Sequence, residues 1–261
     1  MLAYDFMQRA FAASGIVALV AGSVGYFLVL RSQTFAGHAL SHVGFAGATG
    51  AVLVGVAPLW GVLALTLAAG GAMGALGERF SGRDVAVGIV LASALGLGLL
   101  FLNLNTGTSL QATTILFGNV LAVSSAMLAS LVVLGIVAIA ALGAISRPLI
   151  FASLQPELAE AHGVPLRLIG TLFLLIAALA VAQSVQIVGV LLVFALMVGP
   201  PAAAQRLTSR LGPGIGLSCL IALAAAWLGI AIAYFTDWPV SFCITALSAL
   251  AYFTALVLRR R

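Results

Sequence analysis

Gly37-His38-Ala39-Leu40-Ser41-His42 places two of the chain's three histidines four residues apart in apolar sequence. On a helix this spacing puts both imidazoles on one face, one turn apart. Two imidazoles so placed can chelate a borderline-soft divalent cation such as zinc. The alternative is that His38 and His42 each hydrogen-bond a neighbouring helix and do nothing else. Because ionisable groups are costly within a bilayer, a pair of them in membrane-like sequence is read as a metal contact. Only neutral imidazole binds metal, so metal passage is expected to weaken at acid pH. Closed zinc sites use about four ligands. Two make an incomplete site, which suits a transit position that must release its cargo. Ser41 falls on a different line of the helix, where its hydroxyl can satisfy a backbone carbonyl.

Two further stretches carry structural chemistry. Gln155-Pro156-Glu157-Leu158-Ala159-Glu160-Ala161-His162-Gly163 reads as a short helix with Pro156 in its first turn, acids early and Gly163 closing it. It is either an amphipathic connector or a docking helix for a cytoplasmic partner, and His162 is expected to face solvent. Gly199-Pro200-Pro201 must kink or break a helix, because each proline removes a backbone donor. That is either a bend tolerated by packing or a broken helix beside a pathway, where freed carbonyls line a polar cavity.

The elements that position these residues are membrane spans. The chain has 261 residues, 63% hydrophobic and 7% charged, against about 25% charged in soluble domains. A span needs about 20 apolar residues. Candidates are 10–30, 38–57, 59–77, 85–104, 123–146, 166–183, 185–205, 214–235 and 239–258. The expected fold is therefore all-α, a single polytopic domain over 1–261 with eight to nine spans and its longest loop at 147–165. Within 168–205 the turn is expected at Gln183 to Gln186. Asn103, Asn105 and Gln111 are read as loop residues, and the short apolar segment holding Asn119 as re-entrant or interfacial.

All eleven basic residues are arginines. With every second loop on one side, all but Arg9 share that side, which the excess of positive charge assigns to the cytoplasm. The N-terminus is then outside and the C-terminus inside. The arginines lie singly between apolar blocks and do not interleave with aromatics, so nucleic acid is excluded as a partner and lipid is implied. Cys219 and Cys243 read as small buried hydrophobes without ligand spacing. The first apolar run is too long for a cleavable signal and follows Asp5 and Arg9. No phosphate loop is present, so any ATPase must be another chain and no enzymatic residue is expected.

Taken together, these stretches resemble the permease subunit of ABC-type zinc and manganese uptake systems, the ABC-3 family. The second span, Gly37 to Gly47, is similar to that family's G-D-x-L-S-H pattern. Gln155 to Gly163 is similar to its cytoplasmic D-P-E-x-A-x-x-x-G stretch, and Gly189 to Leu207 to its late proline-containing helix. The Phe117-Gly118-Asn119 and Asp237-Trp238-Pro239 segments match as well. The resemblance implies a type II importer-like bundle, a second copy of the permease, cytoplasmic ATP-binding subunits and an extracytoplasmic metal-binding protein. It implies that His42 lies on the pathway and that Pro156, Glu157, Ala159 and Gly163 couple to the ATPase. No cofactor is implied beyond the transported metal. The chain departs from the pattern at His38 and Gln155, both acids in the family. Losing the carboxylate at His38 shifts the expected preference from manganese toward zinc, or cobalt and nickel. Rival readings are a permease for metal chelates, an ion-gradient-driven transporter and a membrane scaffold. All six acids fall in loops or near termini, which argues against gradient coupling.

Overall fold

The computed structural model describes residues 4–76, 83–105 and 118–258. Arg79, Gln111, Phe117 and Arg259 to Arg261 lie outside them. Among the described residues the regular structure is helical: α1 (Asp5–Leu30), α2 (Thr34–Leu53), α3 (Pro58–Ala75), α4 (Arg83–Leu104), a 3₁₀ turn (Val120–Ala122), α5 (Ser125–Leu154), α6 (Pro156–Ala161), α7 (Leu166–Leu207), α8 (Leu211–Thr236) and α9 (Val240–Leu258). Eight segments are long and apolar enough to cross a membrane, with α7 counting as two. The remaining long helix, α2, falls short because it carries His38, Ser41, His42 and Thr49, yet most of it is buried. A membrane tolerates such a helix when other helices cover it. With α2 included, the described residues form nine rods, within the eight to nine spans expected.

α7 is the centre of the bundle and packs on α1, α2, α3, α5, α8 and α9. At about 1.5 Å per residue, an unbroken helix would separate Phe173 from Gln205 by roughly 48 Å. Instead, the Phe173 ring lies 6.3 Å from that of Phe27, and the Gln205 side-chain amide donates to the adjacent Tyr26 carbonyl at 2.8 Å. Both ends of α7 thus return to the same end of α1, and the element is a hairpin of two halves, α7a (166–188) and α7b (190–207). The turn is Gly189, at φ 77° and ψ 164°, a region essentially closed to side-chain-bearing residues.

Two expectations change here. The reversal falls at Gly189 and not at Gln183 to Gln186. Gln183 is 2% exposed within α7a, helical and turned toward Gly135 of α5. The helix also continues through Pro200 and Pro201 to Leu207, so the break is not at the prolines. Proline's fixed φ suits a helix, and the pair removes only the donors that would serve the carbonyls of Leu196 and Met197.

α5 differs in length. It was expected to end near residue 146 and runs to Leu154, 30 residues with Pro148 inside. At about 45 Å it is longer than the roughly 30 Å hydrocarbon core. Buried Leu149 and Ala152 hold that extension in place. The expected loop 147–165 is therefore mostly helix, α5's last turns followed by α6. At the chain's other end, α1 is continuous from Asp5. Asn103 lies in the last turn of α4, and Asn105 just beyond it.

The described arginines other than Arg9 gather at one end of the bundle. Arg31 donates to Ser153 Oγ at 2.8 Å and lies 5.7 Å over the Phe173 ring. Arg206 donates to Tyr252 Oη at 3.1 Å. Arg147, Arg167 and Arg210 flank these contacts on α5, α7a and the α7–α8 junction. The start of α4, with Arg83, lies at the same end, since Gly88 faces Phe35 of α2's first turn.

Candidate metal pathway

α2 presents its two histidines to the bundle interior. Their ring centroids are 4.7 Å apart and nearly perpendicular, at 88°. His42 is buried and His38 half-buried. Both Nδ1 atoms are buried without a hydrogen-bond partner. An unsatisfied buried acceptor or donor costs about 1–3 kcal/mol, so two on one face are a recurrent cost that a bound cation would remove. Ser41 is not part of the pair: its hydroxyl donates to the Gly37 carbonyl at 3.2 Å, within its own helix. Among the described residues no third His, Cys, Asp or Glu joins the imidazoles. The pair offers two imidazole nitrogens and an otherwise open shell, which could hold a cation only loosely.

The segment 155–163 has the local geometry its sequence suggests. α6 begins at Pro156 and is capped at His162. Gly163 follows at φ 80°, and its amide donates to the Glu160 carbonyl while that of Val164 donates to Ala159, at 3.0 and 2.9 Å. Ala159 is fully buried and pins the helix to the bundle. Glu157 and Leu158 face outward. His162 is exposed, with Nδ1 2.8 Å from the Leu158 carbonyl oxygen, so it closes its own helix. Through the Arg31–Ser153 bond, α5's end, which leads directly into α6, is tied to the α1–α2 junction seven residues before His38.

The third predicted stretch lies elsewhere than the imidazoles. Gly199 abuts Ser248 of α9, and Pro200 is buried. For four residues the place in the bundle was not legible in the sequence. Phe194 of α7b stacks on His38 with centroids 4.5 Å apart, but in the sequence it is one apolar residue in an apolar run. Ser248 is 1% exposed, with an unpartnered hydroxyl. Gln183 was legible as polar but was read as a turn, and its amide is also unpartnered. Gly118, at φ 74°, packs its backbone directly against Val188 and Gly189; its neighbour Asn119 precedes the 3₁₀ turn. The Phe-Gly-Asn segment thus lies against the α7 turn. Cys219 contacts Ser23 Oγ at 3.2 Å, and Cys243 is buried in α9, so neither approaches the histidines.

The chain and its fold have known relatives. Residues 3–259 match the ABC 3 transport family. The chain is similar to the manganese transport system membrane protein MntC of Halalkalibacterium halodurans, with 31% identity over 88% of this chain and 79% of that one. It is also similar to the manganese import system permease protein ScaB of Streptococcus parasanguinis, 28% identical over 95% and 89%. Among solved structures, PsaBC from Streptococcus pneumoniae in complex with Fab superposes with a TM-score of 0.86 at 26% identity, covering 97% of this chain and 91% of that one.

Proposed function

Because the chain belongs to the ABC 3 transport family, we propose that it is the plasma-membrane permease of an ATP-driven importer and that its preferred cargo is zinc. Relatives named for manganese support a divalent metal as the substrate class. The observation that carries the finer reading is the His38–His42 pair, with two unpartnered Nδ1 atoms and, among the described residues, no acid joining them. Manganese favours carboxylate and water oxygen, whereas imidazole suits zinc. ATP binding and hydrolysis on separate subunits would favour one of two states over the other, and the imidazoles' differential contacts in those states would pass the ion.

The assembly follows from the same family reading. A second copy of the permease, cytoplasmic ATP-binding subunits and an extracytoplasmic metal-binding protein complete it. The exposed Glu157 face of α6 meets the ATPase, while Pro156 starts that helix, Ala159 anchors it and Gly163 ends it. The arginine-rich end is cytoplasmic by the positive-inside rule, which puts Asp5 outside and Leu258 inside.

The test is uptake of each metal alone and in competition. Wild type should take up zinc at least about tenfold faster than manganese at equal concentration, a difference of about 1.4 kcal/mol in barrier. His38→Asp should narrow or invert that ratio. Equal uptake of the two metals by wild type removes the zinc preference. Unchanged uptake by the His38→Ala, His42→Ala double variant at normal expression removes the pair from the pathway.

A further inference from the structure

Two helix corners at the arginine-rich end are joined by one side chain. The first is the α1–α2 corner, where Arg31, Ser32 and Gln33 are the whole connection. Three backbone hydrogen bonds close it: the Arg31 amide donates to Phe27, Ser32 to Val29 and Gln33 to Leu28, at 2.9, 3.1 and 2.8 Å. Ser32 takes the left-handed φ of 54° that ends a helix in this way. The Gly37 amide then donates to the Gln33 carbonyl at 3.1 Å, and Gly37 lies against Leu28. α2, with His38 in its second turn, therefore follows the end of α1 as a rigid piece.

The second is the α5–α6 corner, with Gln155 alone between the helices. Its amide donates to Phe151 and its carbonyl accepts from Ala159, at 3.0 and 2.9 Å. The Phe151 and His162 rings meet at 5.9 Å and 70°, so the last turn of α5 and all of α6 also form one piece. α2 packs chiefly on α3, α4 and α7, so a displacement of α6 needs an intermediary to reach the histidines.

Arg31 has the geometry of that intermediary. Its Nη1 donates to Ser153 Oγ at 2.8 Å. That hydroxyl directs its own proton to the Leu149 carbonyl, which leaves its lone pairs to accept. The guanidinium also lies 5.7 Å over the Phe173 ring. Phe173 is fully buried and meets Phe27 of α1 edge-on at 6.3 Å. A planar guanidinium stacked on a ring and bonded at its edge is held in one orientation, so it passes on displacement as a strut. Marking membrane orientation requires less than this. Arg210 does so while exposed, whereas Arg31 is half-buried and turned inward.

Resting on the reading that α6 meets the ATPase, we propose that Arg31 is a positioning residue of the transport cycle. Through Ser153 it ties α6 to α2, so that the His38–His42 pair moves when α6 does. Coupling between distant sites runs through such packed and hydrogen-bonded links, and about 10 Å of chain along the helix axis separates Arg31 from His38.

The experiment uses the complete transporter in proteoliposomes, with zinc chloride as the probe, and reads metal ions imported per ATP hydrolysed. Arg31→Gln and Ser153→Ala should each lower that ratio at least about fivefold while hydrolysis continues, the order expected for one lost charge-assisted hydrogen bond. Ser153→Asp should keep the ratio, because its carboxylate accepts from Arg31 in the same place. The Arg31→Lys, Ser153→Asp double variant should keep it too, since the longer acceptor offsets the shorter donor. A lowered melting temperature with a wild-type ratio is what a purely structural tie gives, and it overturns the proposal. If Arg31→Gln fails to assemble, Ser153→Ala decides alone, because it removes a single oxygen; a wild-type ratio there overturns the strut. Glu157→Arg keeps the underlying reading separate. If it impairs hydrolysis or uptake while the Arg31 and Ser153 variants behave as wild type, only the strut fails. If it leaves both unchanged, the docking role of α6 fails and the strut falls with it.

Discussion

Gly189 and Pro200-Pro201 lie eleven residues apart in one helical stretch, and they deform it in opposite proportion to their prominence in the sequence. The paired prolines are a loud signal, yet the helix runs through them. A single glycine among many reverses the chain. The difference is between removing a donor and changing a dihedral. Proline keeps φ helical and costs hydrogen bonds that neighbouring helices can absorb. A residue at φ 77°, ψ 164° cannot continue a helix at all. A helix in a membrane therefore reverses where its dihedrals require it, and it only softens where its donors are missing. Here the reversal brings Phe194 onto His38, and the softening lies at the base of the segment that carries Phe194.

Substitutions at these and neighbouring positions test that contrast. The largest effect belongs to Gly118→Ala, where a new methyl meets the Val188–Gly189 backbone at a position that also has positive φ. Overpacking and backbone strain together should cost roughly 3–5 kcal/mol, read as a large drop in melting temperature of the purified complex or as loss of assembly. Next comes Gly189→Ala, which should cost about 1–3 kcal/mol and, by shifting α7b, lower metal uptake more than its stability loss alone would. Pro200→Ala and Pro201→Ala should each change stability by less than about 1 kcal/mol. If either melts the protein as Gly189→Ala does, donor loss and dihedral change are not the separate effects argued here. The smallest effect is at Asp237, which has φ 57°, ψ 20° at the end of α8. That is ordinary left-handed geometry, tolerated by Asp and Asn, so Asp237→Asn should stay within about 0.5 kcal/mol by the same thermal measurement. A large loss there would mean that positive φ by itself, and not the particular ψ of Gly189, sets the cost.

Much of the architecture was legible because membrane physics is written locally. Apolar run length gave the rods, and the α6 boundaries at Pro156 and Gly163 followed from caps that act within one turn. The parity of the arginines required two crossings between Arg167 and Arg206, which the α7 hairpin supplies. The position of that turn was misread because Gln183 is polar, and polarity marks a loop only when the side chain reaches water. Gln183 is buried instead against α5. The end of α5 was misread because Arg147-Pro148 looks like a stop, whereas burial of Leu149 and Ala152 carries the helix past it.

The imidazole pair divides in the same way. Its existence, its spacing and the common face of His38 and His42 follow from the sequence alone, because an i, i+4 relation is a property of one helix. What surrounds the pair is not such a property. The stacking of Phe194 on His38 and the unpartnered Nδ1 atoms depend on contacts between residues more than a hundred positions apart in the chain. No local pattern encodes those contacts, since an apolar residue facing a metal pathway and one facing lipid have the same composition. Only packing the two halves of α7 back against α1, α2 and α9 decides which is which.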